Sequence, residues 1–410
     1  MKKAGGISTG IWNRAFVRVF LYAVLCQFTM AVTNTVLPLY VINGLGRSAT
    51  ESGLLGTLFT VGSLLCRFVS GYLCDRFGRR ACMIAGALIV GLCLIALGFE
   101  TTMLLLLLTK TLQGVGHAID STASNAAAAE VLPPDRVGQG LGYYALHSML
   151  TNAVGPTLCL ALMGVGAAAG GQNFRLPLLV GGGMGLAAAV LGAATDYEKR
   201  MPPRAGSARR DGIRLSDFLE RRALLPAVMI FFTAFSTGAG TYMIVFADGM
   251  GFSSIRVYYI IDALASAAVR FGLGKRLDAV RPRAIAALAI PLNIVAYTLL
   301  GLTGSEWAFL LSAVLLGVFN AMLMPMFNAM AMKLAPPGRS GSASSTYWLG
   351  FDVGMALGML FFGAVIDRGG FRTVFFLCAG FMLLFGAVAI PALRRFPPVR
   401  DIRPAGGDSY

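Results

Sequence analysis

The chain has 410 residues, 56% of them hydrophobic and only 13% charged, with a formal net charge of +15. Soluble domains carry about 25% charged residues, and a mean hydropathy of +0.72 means more apolar surface than one or two aqueous cores can hide, so lipid is the expected solvent and an ordinary soluble enzyme is excluded. Seven cysteines without paired spacing and only two histidines exclude a disulfide framework and give no ligand cluster, so no metal and no cofactor are expected.

A bilayer core about 30 Å thick needs roughly 20 apolar residues per helix, and breaks at Gly, Pro and charge clusters divide the chain accordingly. The basic N-terminus leads into an apolar stretch as long as a full span and without a small-residue cleavage site, so no signal peptide is expected. Six helices are predicted in the first half, over Phe16–Ile42, Glu51–Leu73, Ala81–Gly98, Met103–Ala128, Gly138–Gly164 and Leu176–Ala194. The first offers only neutral polar groups, Gln27, Thr29, Thr33 and Asn34. The fourth places Lys110, Gln113, Gly114, His117, Asp120, Ser121 and Ser124 at intervals that share one helical face. Charged groups at membrane depth are costly, so each marks a site for substrate or proton passage. Asp120 lies one turn from His117, and that pairing is the expected proton-sensitive element.

Six more helices are predicted over Leu224–Ala247, Ser253–Leu273, Ala284–Leu302, Glu306–Ala331, Gly341–Val365 and Thr373–Leu393, after a polar, Arg-rich connector, Asp196–Arg222. Asp262 in the eighth helix and Asp352 in the eleventh join the candidate pathway. The organisation expected is an N-terminal bundle over 1–195, a connector over 196–222 and a C-terminal bundle over 223–410. With the N-terminus inside, 28 of the 34 Lys and Arg fall on the inner side, only Arg47, Arg175, Arg256, Arg368 and Arg372 outside, and Lys110 within the membrane. Positive charge collects in cytoplasmic loops, so both termini and the connector should be cytoplasmic, and the net charge carries no implication of a nucleic-acid partner.

The two halves repeat at one ungapped offset of 203 residues. Arg67-Phe68-x-x-Gly71-x-x-x-Asp75 aligns with Arg270-Phe271-x-x-Gly274-x-x-x-Asp278, and Pro133-Pro134-x-Arg136-x-Gly138 with Pro336-Pro337-x-Arg339-x-Gly341. The same shift carries Gly114 to Gly317, Asn125 to Asn328 and Tyr144 to Tyr347. A duplicated six-helix bundle is the simplest account, and such symmetry places a transport site where the repeats meet.

The loop after helix 2 reads Gly71-Tyr72-Leu73-Cys74-Asp75-Arg76-Phe77-Gly78-Arg79-Arg80, which resembles the G-x-L-x-D-R-x-G-R-[KR] signature of the major facilitator superfamily at every defined position. The resemblance implies an all-α fold of twelve transmembrane helices in two pseudo-symmetric six-helix bundles. It also implies a conformational latch in which Gly71, Asp75, Arg76, Gly78 and Arg79 set the loop and Asp75 meets the positive start of helix 11 near Gly341. Gly274 and Asp278 would form the matching contact near Gly138. Lys110-Thr-Leu-Gln113-Gly114 resembles the R-x-x-Q-G pattern of the superfamily's drug:proton antiporters with Lys for Arg, which keeps the charge but not the planar fork. Gly155-Pro156 resembles the Gly-Pro core of the antiporter motif, and serves equally as a Pro kink with a close helix contact. The stretch Glu130–Tyr144 looks like the same region of bacterial exporters of drugs and sugars.

Together these readings give a secondary active transporter of the inner (plasma) membrane, a monomer, whose partners are a small-molecule substrate, protons and the bilayer. Its central site would be formed by helices 1, 4, 5, 7, 8, 10 and 11. Proton-coupled export of a small amphipathic or zwitterionic solute by alternating access is the first reading. Uptake of a sugar or organic acid by proton symport or uniport stays open. A polytopic membrane enzyme or receptor is the remote alternative, since the two histidines, His117 and His147, sit in no acidic or nucleophile cluster and no Walker-type phosphate loop is present.

Overall fold

The computed structural model describes residues 11–132, 140, 143–165, 172–195, 220–277, 279–302, 304–336 and 340–402. All regular structure among them is helical. In the first half these are α1 (Arg14–Leu39), which ends in a π-helical turn at Tyr40–Gly44, α2 (Ala49–Phe77), α3 (Arg79–Leu97), α4 (Met103–Glu130), α5 (Leu146–Met163) and α6 (Arg175–Ala193). In the second half α7 (Leu224–Gly240) is continued by a short helix, Met243–Gly249, and followed by α8 (Ile255–Leu277), α9 (Pro282–Leu302) and α10 (Glu306–Leu334). One run, Ser340–Ala392, breaks at Gly370, where φ 71° and ψ 178° are not helical. Its halves are α11, residues 340–369, and α12, residues 371–392. Twelve helices in the described residues match the sequence reading.

The boundaries shift for local reasons. Helix 2 runs four residues past its expected end, since Cys74 to Phe77 contains no breaker and the turn waits for Gly78 at φ 88°. Helix 7 breaks after Gly240, where buried Tyr242 turns its hydroxyl to the carbonyls of Ala49 and Met359, at 3.0 and 2.9 Å. The expected start of helix 5 at Gly138 and most of the connector, 196–219, lie outside the described residues.

Nine stretches of the described residues are long and apolar enough to cross a membrane, Ala343–Arg395 counting as one. Helices α4 and α8 are not among them, because they carry the intramembrane charges. The outward faces are what lipid requires: on α4, Leu104, Leu108 and Leu112 are exposed on one side while Lys110, Gln113 and Asp120 are buried on the other.

The chain divides into two compact units, Met1–Leu37 with Leu58–Arg210, and Pro38–Thr57 with Asp211–Tyr410. In the first, Phe16, Tyr22, Met83, Ala123, Ala127 and Tyr144 anchor one core. In the second there are two, one around Ile230, Phe319, Phe327 and Met382 and one around Tyr242, Phe246, Tyr258, Phe309 and Phe375. Lipid offers no hydrophobic drive between helices, so close backbone approach carries the packing. Gly350, Gly354 and Gly358, one turn apart on α11, each sit where a methyl group would strike the carbonyl of Ala227, Phe231 or Phe235 on α7.

The second unit also takes in the hairpin between α1 and α2. The carboxylate of Asp367, near the end of α11, accepts the backbone N–H groups of Ala49 and Thr50 at 2.7 and 2.8 Å, and the Thr50 hydroxyl. Partial burial opposes its ionisation, but these donors hold the Asp367 carboxyl below its ordinary range.

Candidate functional site

The site is built on the buried face of α4, in the first unit. Lys110 Nζ donates to Gln113 Oε1 at 2.7 Å, the Gln113 amide donates to Thr33 Oγ1 of α1 at 2.8 Å, and the Thr33 hydroxyl returns to the Thr29 carbonyl at 3.0 Å. Lys110 also stands over the ring of Phe59 from α2, 4.6 Å from its centre, an attraction that strengthens when water is excluded. The side chain is 2% exposed, and no carboxylate lies within ion-pair distance among the described residues. Lys110 is therefore met by an amide oxygen and an aromatic face.

About 15 Å along the helix, Asp120 is 4% exposed. Its carboxyl meets the hydroxyl of Tyr22 from α1. The same hydroxyl lies 2.8 Å from the Met83 carbonyl of α3, so one phenolic proton faces two acceptors. Cys26 lies beside the carboxyl, and Gly86 of α3 leaves no room for a methyl group against Asp120. Among the described residues the Asp120 carboxyl is bonded to Tyr22 and not to His117, which lies one turn away on the same helix. A residue at i+3 shares the face, but the carboxyl is drawn to the one strong donor that α1 presents. The His117 ring packs on Phe59 at 5.6 Å, and the charges bearing on it are those of Arg67 and Lys110. Phe59 thus lies between Lys110 and His117.

In the first unit, Asn34, Gly155 and Pro156 stand apart from these bonds. Asn34 is exposed on α1, while its neighbour Thr33 makes the bond to α4. Gly155 and Pro156 are buried in α5, and Gly155 lets the helix close on Ala31 of α1. In the second unit, half-buried Asp262 lies on α8 against Gly317 of α10 and beside Tyr258 and Tyr259. Asp352 is half-buried on α11.

Of the loop signature, Gly71 and Asp75 lie in the last turns of α2, and Gly274 in the last turn of α8. The side chains of Gly71, Asp75 and Gly274, together with Asp278 and Gly138, fall outside the described residues. What is described is an arginine cluster. Arg76 donates to the Tyr72 hydroxyl at 3.1 Å, Arg79 pairs with Glu130 at the end of α4 at 3.3 Å, and Gly78 makes the turn. Arg80 donates to the Ala193 carbonyl and Arg18 to that of Ala194 at 2.8 Å, so two cations close the negative end of α6.

Sequence reasoning missed Tyr22, Phe59 and the Arg79–Glu130 pair. A tyrosine or phenylalanine in an apolar helix reads as packing, and only the i, i+4 set of Arg18, Tyr22 and Cys26 hinted that one face of α1 is polar.

Comparison with known proteins agrees with this architecture. The staphylopine export protein of Staphylococcus aureus (strain Mu50 / ATCC 700699) is 22% identical over 393 residues, covering 93% of this chain and 96% of that protein. The quinolone resistance protein NorB of Staphylococcus aureus (strain MRSA252) is 32% identical over 142 residues, covering 33% of this chain and 30% of NorB. Among solved structures, a bacterial homolog of the human lysosomal transporter Spinster, inward-facing and unoccupied, superposes with a TM-score of 0.75 at 16% identity, over 94% of this chain and 98% of that one. The family profile of the Major Facilitator Superfamily matches residues 19–306 and 261–408, and with the duplicated six-helix pattern and the loop signature this establishes that the chain is a member of the major facilitator superfamily, a multi-pass membrane transporter and not an enzyme.

Proposed function

We propose that this transporter is a proton-coupled exporter of a small amphipathic or zwitterionic solute, working by alternating access, with Asp120 as the coupling carboxyl. The observation that carries the reading is the Asp120–Tyr22 contact. A buried carboxyl bonded to a phenol, with no cation against it among the described residues, can take up and give up a proton without breaking an ion pair, which is what cyclic coupling needs. The polar contacts of α1 and α4 give it surroundings that differ from bulk lipid. Lys110, Gln113 and Thr33 form the solute-facing end of the stripe, and Asp262 and Asp352 are secondary members of the pathway. Export is supported by the names of two relatives, an export protein and a resistance protein. Both termini are placed in the cytoplasm of the cell that carries the protein, in its plasma membrane, on the strength of the Lys and Arg distribution. The Asp75 latch belongs to this reading, and Asp75→Asn should lower turnover while leaving solute binding intact.

The test is flux in proteoliposomes carrying an imposed proton gradient, with a lipophilic fluorescent cation and an amphipathic zwitterion as probes. Asp120→Asn should lose gradient-driven flux and retain slow exchange, whereas Asp262→Asn and Asp352→Asn should lose less. A full gradient response in Asp120→Asn would move coupling off α4.

Lys110 favours one second reading. A buried cation without a described acidic partner suits a solute that brings a carboxylate, so an organic acid moved in either direction is the alternative, and a carboxylated probe in the same assay separates the two.

A further inference from the structure

We infer that Asp367 is a positioning residue of the transport cycle: it holds the hairpin between α1 and α2 on the C-terminal unit and lets it go when the face of the protein opposite the termini opens. The inference holds whichever solute or direction applies.

Local chemistry does not explain an acid at this position. Asp367 lies three residues before the break at Gly370, in the last turn of α11, where exposed carbonyls repel a negative charge. The first turn of α2 supplies the missing partner. Its own cap is a reciprocal box, in which Ser48 N–H donates to Glu51 Oε2 at 2.9 Å and Glu51 N–H to Ser48 Oγ at 3.1 Å. That leaves the N–H groups of Ala49 and Thr50 without a local acceptor. These are the two groups that Asp367 takes, one on each oxygen, with the Thr50 hydroxyl as a third donor. Each helix end completes what the other lacks.

The contact is a rim on a closer fit. Beneath it the Tyr242 hydroxyl faces the carbonyls of Ala49 and Met359. A methyl group on Gly363 would lie 2.5 Å from the Ala49 carbonyl oxygen, and one on Gly53 2.6 Å from that of Met359. Further out, the Asn43 amide donates to Asp248 at 2.6 Å. The buried part is shape and neutral bonding, while the charged part is exposed to water, so ionic bonds to Asp367 exchange for hydration at little cost. That combination suits a contact that must both form and break. The chain runs without interruption from this hairpin into α1 and α2 of the N-terminal unit, so whatever holds the tip also restrains those helices.

The experiment is a distance measurement on the full chain in lipid nanodiscs. Spin labels replace Arg47 and Trp307, both exposed, in a background lacking the seven native cysteines. In Asp367→Asn the ratio of separated to docked distances should rise about tenfold, the size expected for losing a charged helix cap, while Asp367→Glu stays near the parent. Melting temperatures are recorded alongside, since a merely structural role would lower them and leave the distances alone. In Thr50→Cys with Asp367→Cys, oxidation should abolish the separated population and reduction restore it, a readout that survives if Asp367→Asn does not fold. Unchanged distances in a normally melting Asp367→Asn, or a separated population in the oxidised double variant, would overturn the assignment.

Discussion

Helices α4 and α10 correspond under the 203-residue repeat, and they share a backbone contact but not their buried polar groups. Shifted by 203 residues, Gly114 of α4 meets Gly317 of α10, and in both units that glycine lets its helix press on the carbonyl of the matching residue, Phe59 of α2 or Asp262 of α8. The neighbouring serines correspond as well: Ser63 N lies against Gly114, and Ser266 donates to the Gly317 carbonyl at 2.9 Å. Most of the buried polar side chains do not correspond. Where α4 has Lys110, Gln113, Asp120 and Ser124, α10 has Ala313, Leu316, Leu323 and Phe327, all buried. The repeat keeps the backbone contact while the buried polar stripe of α4 has no counterpart on α10, as expected when helix packing depends on small residues and polar groups are placed sparingly.

The strongest way to break this comparison is at the shared contact. Gly114→Leu and Gly317→Leu should each prevent accumulation of folded protein, because the obstacle is backbone that cannot rotate away, and overpacking of this kind costs about 3 kcal/mol or more. Gly183→Leu, where a Cβ meets nothing within 4 Å, is the control. Size-exclusion profiles of the detergent-solubilised proteins decide it. A folded Gly317→Leu beside an unfolded Gly114→Leu would mean that only one unit relies on the contact.

The next effect tests whether the polar groups are as asymmetric in use as in placement. Asp120→Leu, which copies the residue of α10, should abolish proton-driven flux, and Leu323→Asp in the same chain should not restore it, since the α7 residue corresponding to Tyr22 is Leu225. Tyr22→Phe should retain part of the flux and lower the melting temperature, as removing a buried partner costs about 1–3 kcal/mol. Recovery in Asp120→Leu with Leu323→Asp would show that the two positions are interchangeable.

A smaller effect is expected at Lys110. Lys110→Ala, again the α10 residue, leaves the Gln113 oxygen without its donor and removes the charge over Phe59, and should weaken binding of a carboxylated probe roughly tenfold, a loss of about 1.4 kcal/mol. Lys110→Arg should keep most of that affinity, because a guanidinium also stacks on an aromatic face. Equal binding by the Ala variant, measured by calorimetry, would separate Lys110 from the solute.

Most of the fold was legible in the sequence, because helix spans are set by bilayer thickness and their ends by residues such as Gly78 and Gly370. The repeat was legible for the same reason that it persists: Gly114 and Gly317 cannot change without losing the contact. The site was legible only along one helix. The period of α4 gives the face shared by Lys110, Gln113 and Asp120, but a period says nothing about which helix lies opposite, so Tyr22 and Phe59 could not be assigned as the partners of Asp120 and His117. Asp367 was invisible for a different reason: its partner, Thr50, is 317 residues away, and no local rule connects the end of one helix with the start of another.

The smallest effect expected is an absence of change, and it separates the carboxyl proposed to exchange its proton from the one expected to hold its charge. The donors of α2 depress the Asp367 pKa in the folded protein, so its contribution to stability is complete above the unfolded value of about 3.9 and is lost only as pH falls through the lower folded value. Between pH 8 and 5 the carboxylate stays ionised. The difference in melting temperature between the parent and Asp367→Asn should therefore be constant across that interval and shrink only below about pH 4. Proton-driven flux, which we propose depends on Asp120, should vary over the same interval in both proteins. A melting difference that already collapses between pH 7 and 5 would mean that Asp367 titrates in the working range and does not hold its charge there.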